Sequence, residues 1–356
     1  MNFSGKRILI TGGTGSMGQT LVRRLLSLGS NAPDKVIVMS RDEAKQHEMR
    51  VDYLHRQAAT DAIMYDNFKR ALEFRIGDVR NYADVVSALR DCDSVIHAAA
   101  LKQVPVCEYF SDQAIMTNCL GPINIVRAIR EHRLPIETVI GVSTDKACEP
   151  INVMGMTKAL QERIFIGANV LNSQTRFIAV RYGNVLASRG SVIPLFHDQI
   201  LAGGPVTITD TRMTRFLISL EQAVDTVLEA YADALPGETY VPTAPGARME
   251  DLAEILIGDR PIAIQVVGIR PGEKLDEVLI SREEAFRTIR RGTHYVIRPM
   301  LPELSNSDAD VKPKALKGAF LSCGDLLSRA ALLDLLEKNN LTVPSFDLAR
   351  TQDPSA

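Results

Sequence analysis

Glycines 12, 15 and 18 stand in the run Thr11-Gly12-Gly13-Thr14-Gly15-Ser16-Met17-Gly18, between an apolar strand-like segment and an apolar helical one. That order of elements can hold a pyrophosphate. The glycines allow a tight turn, close backbone approach to the anion and tight helix-on-strand packing, while the first helical amides face the negative charge. Thr14, Ser16 and Met17 lie in the same loop and are candidates to touch a dinucleotide with it. The end of the next strand selects the dinucleotide, because an acid there takes ribose hydroxyls whereas a cation takes a 2′-phosphate. Here it reads Met39-Ser40-Arg41-Asp42, so Ser40 and the forked Arg41 guanidinium favour NADP, with NAD kept as the weaker alternative by Asp42. Asp78, in Gly77-Asp78-Val79, is placed either against an adenine or as a helix cap. Further along, Ser143-Thr144-Asp145-Lys146 sets a carboxylate beside an ammonium. As bare sequence such a pair is most often a solvated ion pair, but it follows a strand, where α/β sheets bind ligands.

To position these residues the chain needs a sheet, and its pattern supplies one. Short aliphatic segments at Arg7–Thr11, Lys35–Ser40, Leu72–Ile76, Ser94–His97, Thr138–Val142 and Arg176–Arg181 read as strands buried on both faces. They alternate with helical stretches near Met17–Leu28, Arg41–Gln57, Tyr82–Leu89, Gln113–His132 and Met154–Leu171. The alternation predicts an α/β fold, a doubly wound parallel sheet over residues 1–182. From residue 183 the pattern turns irregular, with Gly203-Gly204-Pro205, Pro236-Gly237, Pro245-Gly246 and Pro271-Gly272. That stretch predicts a smaller substrate-binding lobe over 183–345, with the Ser219–Leu235 helix packing back on the first domain and a flexible tail over 346–356.

Composition narrows the function classes. The 356 residues carry a formal net charge of −2 and are 46% hydrophobic and 24% charged, an ordinary soluble balance without the basic excess that nucleic acid demands. No apolar run approaches the roughly 18 residues of a membrane span, and Met1–Lys6 leads directly into the first strand without a leader-like apolar region. The expectation is a cytoplasmic protein with no membrane insertion. Five cysteines, with no Cys-x-x-Cys pair, read as reduced packing residues rather than metal ligands.

Further segments carry a resemblance. They are His97-Ala98-Ala99-Ala100-Leu101-Lys102-Gln103-Val104-Pro105, Ser143-Thr144-Asp145-Lys146-Ala147, Ile151-Asn152-Val153-Met154-Gly155-Met156-Thr157-Lys158 and Arg181-Tyr182-Gly183-Asn184-Val185. Ser188-Arg189-Gly190-Ser191-Val192-Ile193-Pro194, Thr211-Arg212-Met213-Thr214-Arg215-Phe216 and Arg270-Pro271-Gly272-Glu273-Lys274-Leu275 complete the set. In this order, over residues 5–285, the chain resembles the UDP-N-acetylglucosamine 4,6-dehydratases of bacterial surface-polysaccharide and flagellin-sugar pathways, a branch of the extended short-chain dehydrogenase/reductase superfamily.

The resemblance implies a lyase that moves a hydride from carbon 4 of the sugar to NADP⁺, eliminates water across carbons 5 and 6, and returns the hydride to carbon 6. It assigns Asp145 as the acid at carbon 6 and Lys146 as the base at carbon 5. These roles require Asp145 to hold a proton through a raised pKa and Lys146 to be neutral through a lowered one. The superfamily's Tyr-x-x-x-Lys keeps its lysine as Lys158, but Met154 stands at the tyrosine position. A thioether cannot accept a proton, so the resemblance points to a branch with Met there, in which Asp145 or Lys146 also takes the proton of the carbon 4 hydroxyl. Thr144 and Lys158 would orient substrate and nicotinamide ribose, and Lys102 would hold substrate or a catalytic water. Val79, Ala98, Ala99, Ala100 and Tyr182 join the expected cofactor set.

On the substrate side the resemblance assigns Asn184 and Arg270 to the diphosphate, Ser191, Val192 and Pro194 to the nucleotide pocket, and Glu273 to the uridine ribose. Arg189 and Arg215 are further phosphate candidates, and Arg212 stays open. The implied product is a UDP-2-acetamido-2,6-dideoxy-4-keto-hexose inverted at carbon 5, made from UDP-N-acetylglucosamine by a homo-oligomer. Two alternatives stand beside it. A nucleotide-sugar 4-epimerase would need no acid–base pair at carbons 5 and 6, and a non-catalytic NADP-binding sensor would not need Asp145, Lys146 and Lys158 intact.

Overall fold

A computed structural model of the chain describes residues 1–55, 68–186, 188, 190–304 and 315–343. The expected strands form: β1 (Arg7–Thr11), β2 (Lys35–Ser40), β3 (Leu72–Ile76), β4 (Ser94–His97), β5 (Thr138–Val142) and β6 (Arg176–Val180). The sheet is wider than the sequence pattern suggests, because Thr239–Pro242 (β7), Thr288–Arg291 (β8) and His294–Ile297 (β9) return to it from the stretch expected as a lobe. Nine strands lie in the order β8-β9-β7-β6-β5-β4-β1-β2-β3, all parallel except β9. The three added strands are four residues each, too short between their turns to leave a period of their own.

Alternate residues of each strand feed opposite cores. Ile8, Ile10, Val36, Val38, Ile96 and Ile140 face α1 (Ser16–Leu26), α2 (Glu43–His55) and a later helix that packs on the same side. Leu9, Ile37, Val95 and Val139 face α3 (Tyr82–Leu89), α4 (Gly121–His132) and α5 (Val153–Leu171). The later helix is α6 (Leu220–Asp233), capped at Ser219 by a reciprocal capping box with Gln222 and tied to α1 by Arg23–Glu221 and Arg24–Asp225 pairs. Of the cysteines, Cys92, Cys107, Cys119 and Cys148 are buried and free, whereas Cys323 is exposed rather than packed.

The helix expected over Gln113–His132 is interrupted. Ser111–Ile115 is α-helical, Met116–Leu120 is a π-turn, and α4 starts at Gly121. Pro122 in the first turn of α4 has no N–H to give to the turn before it, which accounts for the wider turn there.

A third core, built on Ile193, Phe196, Met213, Leu252, Leu256 and Leu332, holds helices Val192–Leu201, Met249–Ile257 and Arg329–Lys338 together. A buried ionic cluster ties the segment around Leu279 and Glu284 to the sheet. Arg181, just past β6, donates to Glu162 of α5 at 2.6 Å, to Glu284 at 2.7 Å, and to the Leu279 carbonyl. The strand order reverses at β1, with β2 on one side and β4 on the other, and this opens a crevice at their carboxyl ends. Among the described residues no helix is long and apolar enough to cross a membrane.

Candidate active site

The crevice is a cavity of about 1030 Å³ that runs from the glycine loop to the Asp145-Lys146 turn. Its floor is pinned where Thr11 Oγ1 meets His97 Nδ1 at 2.8 Å across the paired ends of β1 and β4. Burial keeps the His97 imidazole neutral, with its pKa pushed down to about 3. Gly12 takes a φ of +70°, and a Cβ there would lie 2.7 Å from the Ala99 nitrogen, so a side chain would fill the approach to the loop. No side chain caps the N-terminus of α1 at Gly15, and Gly12, Thr14, Gly15, Ser16, Met17 and Gly18 all line the cavity. Open helical amides beside a side-chain-free turn fit a dinucleotide pyrophosphate.

At the far wall, Ser40, Arg41, Asp78, Val79, Ala98, Ala99 and Ala100 line the same cavity. Gln46 donates to Ser40 Oγ at 3.0 Å, and the half-exposed Arg41 guanidinium lies 3.7 Å from Asp78. Asp78 is not a cap, since Asn81 caps α3. Its carboxylate binds Arg80 at 2.6 Å, and although burial opposes it, the Arg80 and Arg41 cations draw its pKa down. Asp42 is paired with Lys45 at 2.5 Å, and both line the cavity.

The reacting end is organised by α5. Asn152 caps it by accepting from the Gly155 N–H, and holds the Gly272 carbonyl with its own amide at 2.8 Å. A Cβ on Gly155 would lie 2.1 Å from the Lys146 carbonyl oxygen, so only glycine lets α5 seat against the Asp145–Ala147 turn. Asp145 is fully buried. Its Oδ1 accepts from Thr144 Oγ1 and from Lys146 Nζ, each at 3.0 Å, while Oδ2 is buried without a hydrogen-bond partner. Burial pushes the Asp145 pKa up, and the nearby Glu277 charge adds to that against the pull of Lys146. The direction agrees with an acid that keeps its proton.

Lys146 departs from its expected state. Burial alone would weaken its ammonium, but Nζ sits 3.0 Å from both Asp145 Oδ1 and Glu277 Oε1, and the two carboxylates carry its pKa upward instead. The lysine that burial brings down is Lys158, to about 7 against the pull of Glu162. Its Nζ donates to the Val142 carbonyl at 2.5 Å and to Gln161 at 2.6 Å. Met154, one turn before it, is buried against Cys107 and Ala114 and lines the cavity with Thr144, Asp145, Lys146, Lys158, Tyr182 and the exposed Lys102.

Of the substrate candidates, Asn184, Ser191, Arg270 and Glu273 line the cavity. The Asn184 Oδ1 and Ser191 Oγ atoms are buried without partners, poised for a polar ligand. Arg215 is not among the lining residues. It is buried, donates to the Thr214 and Leu275 carbonyls, and faces Glu277 at 3.8 Å, because its own backbone neighbours and a buried acid compete for it. Val192 and Pro194 lie in the first turn of a helix whose inner face packs the third core, and they do not line the cavity. Arg212 is exposed and bound to Asp210. Arg189 and the 346–356 tail lie outside the described residues. Glu277 escaped the sequence reading although it follows Arg270–Leu275 by two residues. Thr117, whose buried Oγ1 has no partner, also lines the cavity and left no signal beyond one polar residue in an apolar helix.

The chain is 42% identical over 317 residues to UDP-N-acetylglucosamine 4,6-dehydratase (inverting) of Campylobacter jejuni subsp. jejuni serotype O:23/36 (strain 81-176), covering 88% of this chain and 89% of that one. It is 44% identical over 300 residues to a UDP-glucose 4-epimerase of Rickettsia bellii (strain OSU 85-389), covering 83% of each. The solved structure of Pen from Bacillus thuringiensis superposes with a TM-score of 0.84 at 32% identity, covering 96% of this chain and all of that one. Residues 8–299 match the family described as polysaccharide biosynthesis protein, and the chain belongs to that family.

Proposed function

We propose that the protein is a UDP-N-acetylglucosamine 4,6-dehydratase that inverts carbon 5, an NADP-dependent hydro-lyase working in the cytoplasm. The observation that carries this reading is the Asp145-Lys146 pair, with a partnerless buried carboxyl oxygen in the cavity that also holds the dinucleotide cradle. When bound, NADP supplies the two-electron oxidation at carbon 4 that acidifies carbon 5, and the reduction at carbon 6. Arg41 and Ser40 line the cavity at the end of β2, which supports NADP over NAD.

Asp145 delivers a proton to the hydroxyl leaving carbon 6. Lys146 takes the proton of carbon 5 and must first shed its own; Asp145 Oδ1, 3.0 Å away, is an acceptor for it. That transfer turns an ion pair into a neutral amine beside a neutral acid, the two forms elimination needs. Met154 takes no proton. Lys146 takes the proton of the carbon 4 hydroxyl and yields it to solvent, so that it is neutral again to take the proton of carbon 5 while Asp145 gives its own to the departing water. Solvent then reprotonates carbon 5 from the opposite face, and the pair is back in its starting ion-pair form. Asn184, Ser191, Arg270 and Glu273 hold the nucleotide diphosphate end. Exposed Tyr109, Ile115, Met116, Met156 and Leu160 on the neighbouring helices suit association with a second copy.

A 4-epimerase is the second reading, on the strength of the Rickettsia bellii relative's name. Epimerisation has no use for an acid at carbon 6, so Asp145→Asn separates the two. That substitution keeps the shape and removes the acid. It is expected to lower formation of the 4-keto-6-deoxy product by roughly 10²–10⁴-fold with NADP binding retained; full dehydration by the variant would sink the assignment.

A further inference from the structure

Glu277 is buried, lies outside the cavity wall, and reaches the reacting pair from behind. Its Oε1 is 3.0 Å from Lys146 Nζ, the same distance at which Asp145 holds that ammonium from the other side. Its Oε2 is buried and has no hydrogen-bond partner, so the carboxylate is fixed by Lys146 rather than by a shell of its own. The backbone fixes the segment: the Glu277 N–H donates to Ser322 Oγ at 2.9 Å, and the Ser322 N–H donates back to the Glu277 carbonyl. A surface acid would be solvated, and a structural one would have its oxygens satisfied. This one has its shortest ion pair, at 3.0 Å, with an ammonium that faces the cavity, and Arg215 stands farther off at 3.8 Å.

We propose that Glu277 is a positioning residue of the reaction, which clamps Lys146 against Asp145 from outside the cavity and sets the pH range in which the pair carries its proton. The role rests on the dehydratase reading of Asp145 and Lys146. The charged groups around it are few. Arg215 stands 3.8 Å from Oε1, Lys274 is turned to the Cys148 carbonyl at 2.7 Å, and Asp276 is bound by Thr214 at 2.6 Å. Arg215 is a cation held by two carbonyls, and it works against the Lys146 ammonium where Glu277 favours it. One negative charge beside the pair raises the proton affinity of both members. Its removal must therefore lower both steps of their titration together.

The test is the pH profile of dehydration for the unsubstituted protein, Glu277→Gln and Glu277→Asp, with NADP and UDP-N-acetylglucosamine. Glu277→Gln is expected to move the whole bell-shaped profile down by about 1–3 pH units, with KM for the sugar nucleotide and Kd for NADP within about twofold, since Glu277 does not line the cavity. Glu277→Asp keeps the charge but shortens the reach, so its profile stays in place while kcat falls by about fivefold or more. A Glu277→Gln profile superimposed on the original overturns the proposal while leaving the function standing. If Glu277→Gln does not fold, undiminished kcat in Glu277→Asp overturns it equally. Failure of the unsubstituted protein to make the 4-keto-6-deoxy sugar overturns the function, and this role with it.

Discussion

Lys146 Nζ is held between Asp145 Oδ1 and Glu277 Oε1 at 3.0 Å from each, at the end of the cavity that begins with the Gly12 turn. An amine in that place starts as an ammonium, and it forms with Asp145 an acid–base couple in the lining of the cavity. Four further expectations follow from the surroundings of this couple.

Met154 fills space where the superfamily has a proton acceptor. Met154→Leu conserves volume in the Cys107 and Ala114 cluster and is expected to cost less than about 1.5 kcal/mol in stability. Its pH profile should keep the shape of the original, with kcat within roughly tenfold, because no proton passes through the thioether. Loss of one limb of the profile would show that Met154 shapes the titration directly.

Two glycines of α5 should respond in opposite directions. Gly155→Ala drives a Cβ against the Lys146 carbonyl at 2.1 Å, and should destabilise by about 1–3 kcal/mol or more while shifting the catalytic turn. Gly167→Ala meets nothing within 4 Å and should stabilise the helix by roughly 0.5–1 kcal/mol. Denaturant unfolding of the two variants, beside their kcat values, checks both.

Arg41 tests the choice of dinucleotide. Arg41→Ala removes a cation from the end of β2, and is expected to weaken NADP binding by about 10–100-fold, as for a lost hydrogen bond to a charged group, with little change for NAD. Fluorescence titration with the two reduced dinucleotides measures the difference, and equal losses for both would remove Arg41 from the 2′-phosphate.

The Arg181 cluster should set the acid limit of the fold. Burial pushes Glu284 upward, but Arg181 holds it down to about 2, below its ordinary 4.5. A carboxylate with a depressed folded pKa stabilises fully above its unfolded value and loses that contribution as pH falls from 4.5 toward 2. The loss is on the order of 2–3 kcal/mol, and urea unfolding across that window should show it. Glu284→Gln should be less stable at neutral pH and flatter below pH 4.5.

The parts written locally in the chain were legible in it. β1 through β5 keep the bounds their aliphatic runs suggest, and the Gly12 loop, Ser40, Arg41, Asp145 and Lys158 arrive together because the first four stand at the carboxyl ends of their strands and Lys158 in the second turn of α5. What escaped depends on distant neighbours. Glu277 meets Lys146 only because the segment at Val278–Ile280 packs against the Asp145–Ala147 turn, and no local pattern marks that. The expectation that burial would lower the Lys146 pKa is reversed by Asp145 beside it and then by Glu277, of which the second lies far along the chain. Arg215 looked like a phosphate ligand in its Thr-Arg-Phe setting until two carbonyls and Glu277 took its donors.

The measurement that bears most directly on the central claim is proton NMR of UDP-N-acetylglucosamine incubated with the protein and NADP⁺ in D₂O. The expected result is a new carbon 6 methyl signal, deuterium at carbon 5, and ring couplings of the inverted 4-keto sugar. A galacto epimer without a methyl signal, or unchanged substrate beside bound NADP, would contradict it.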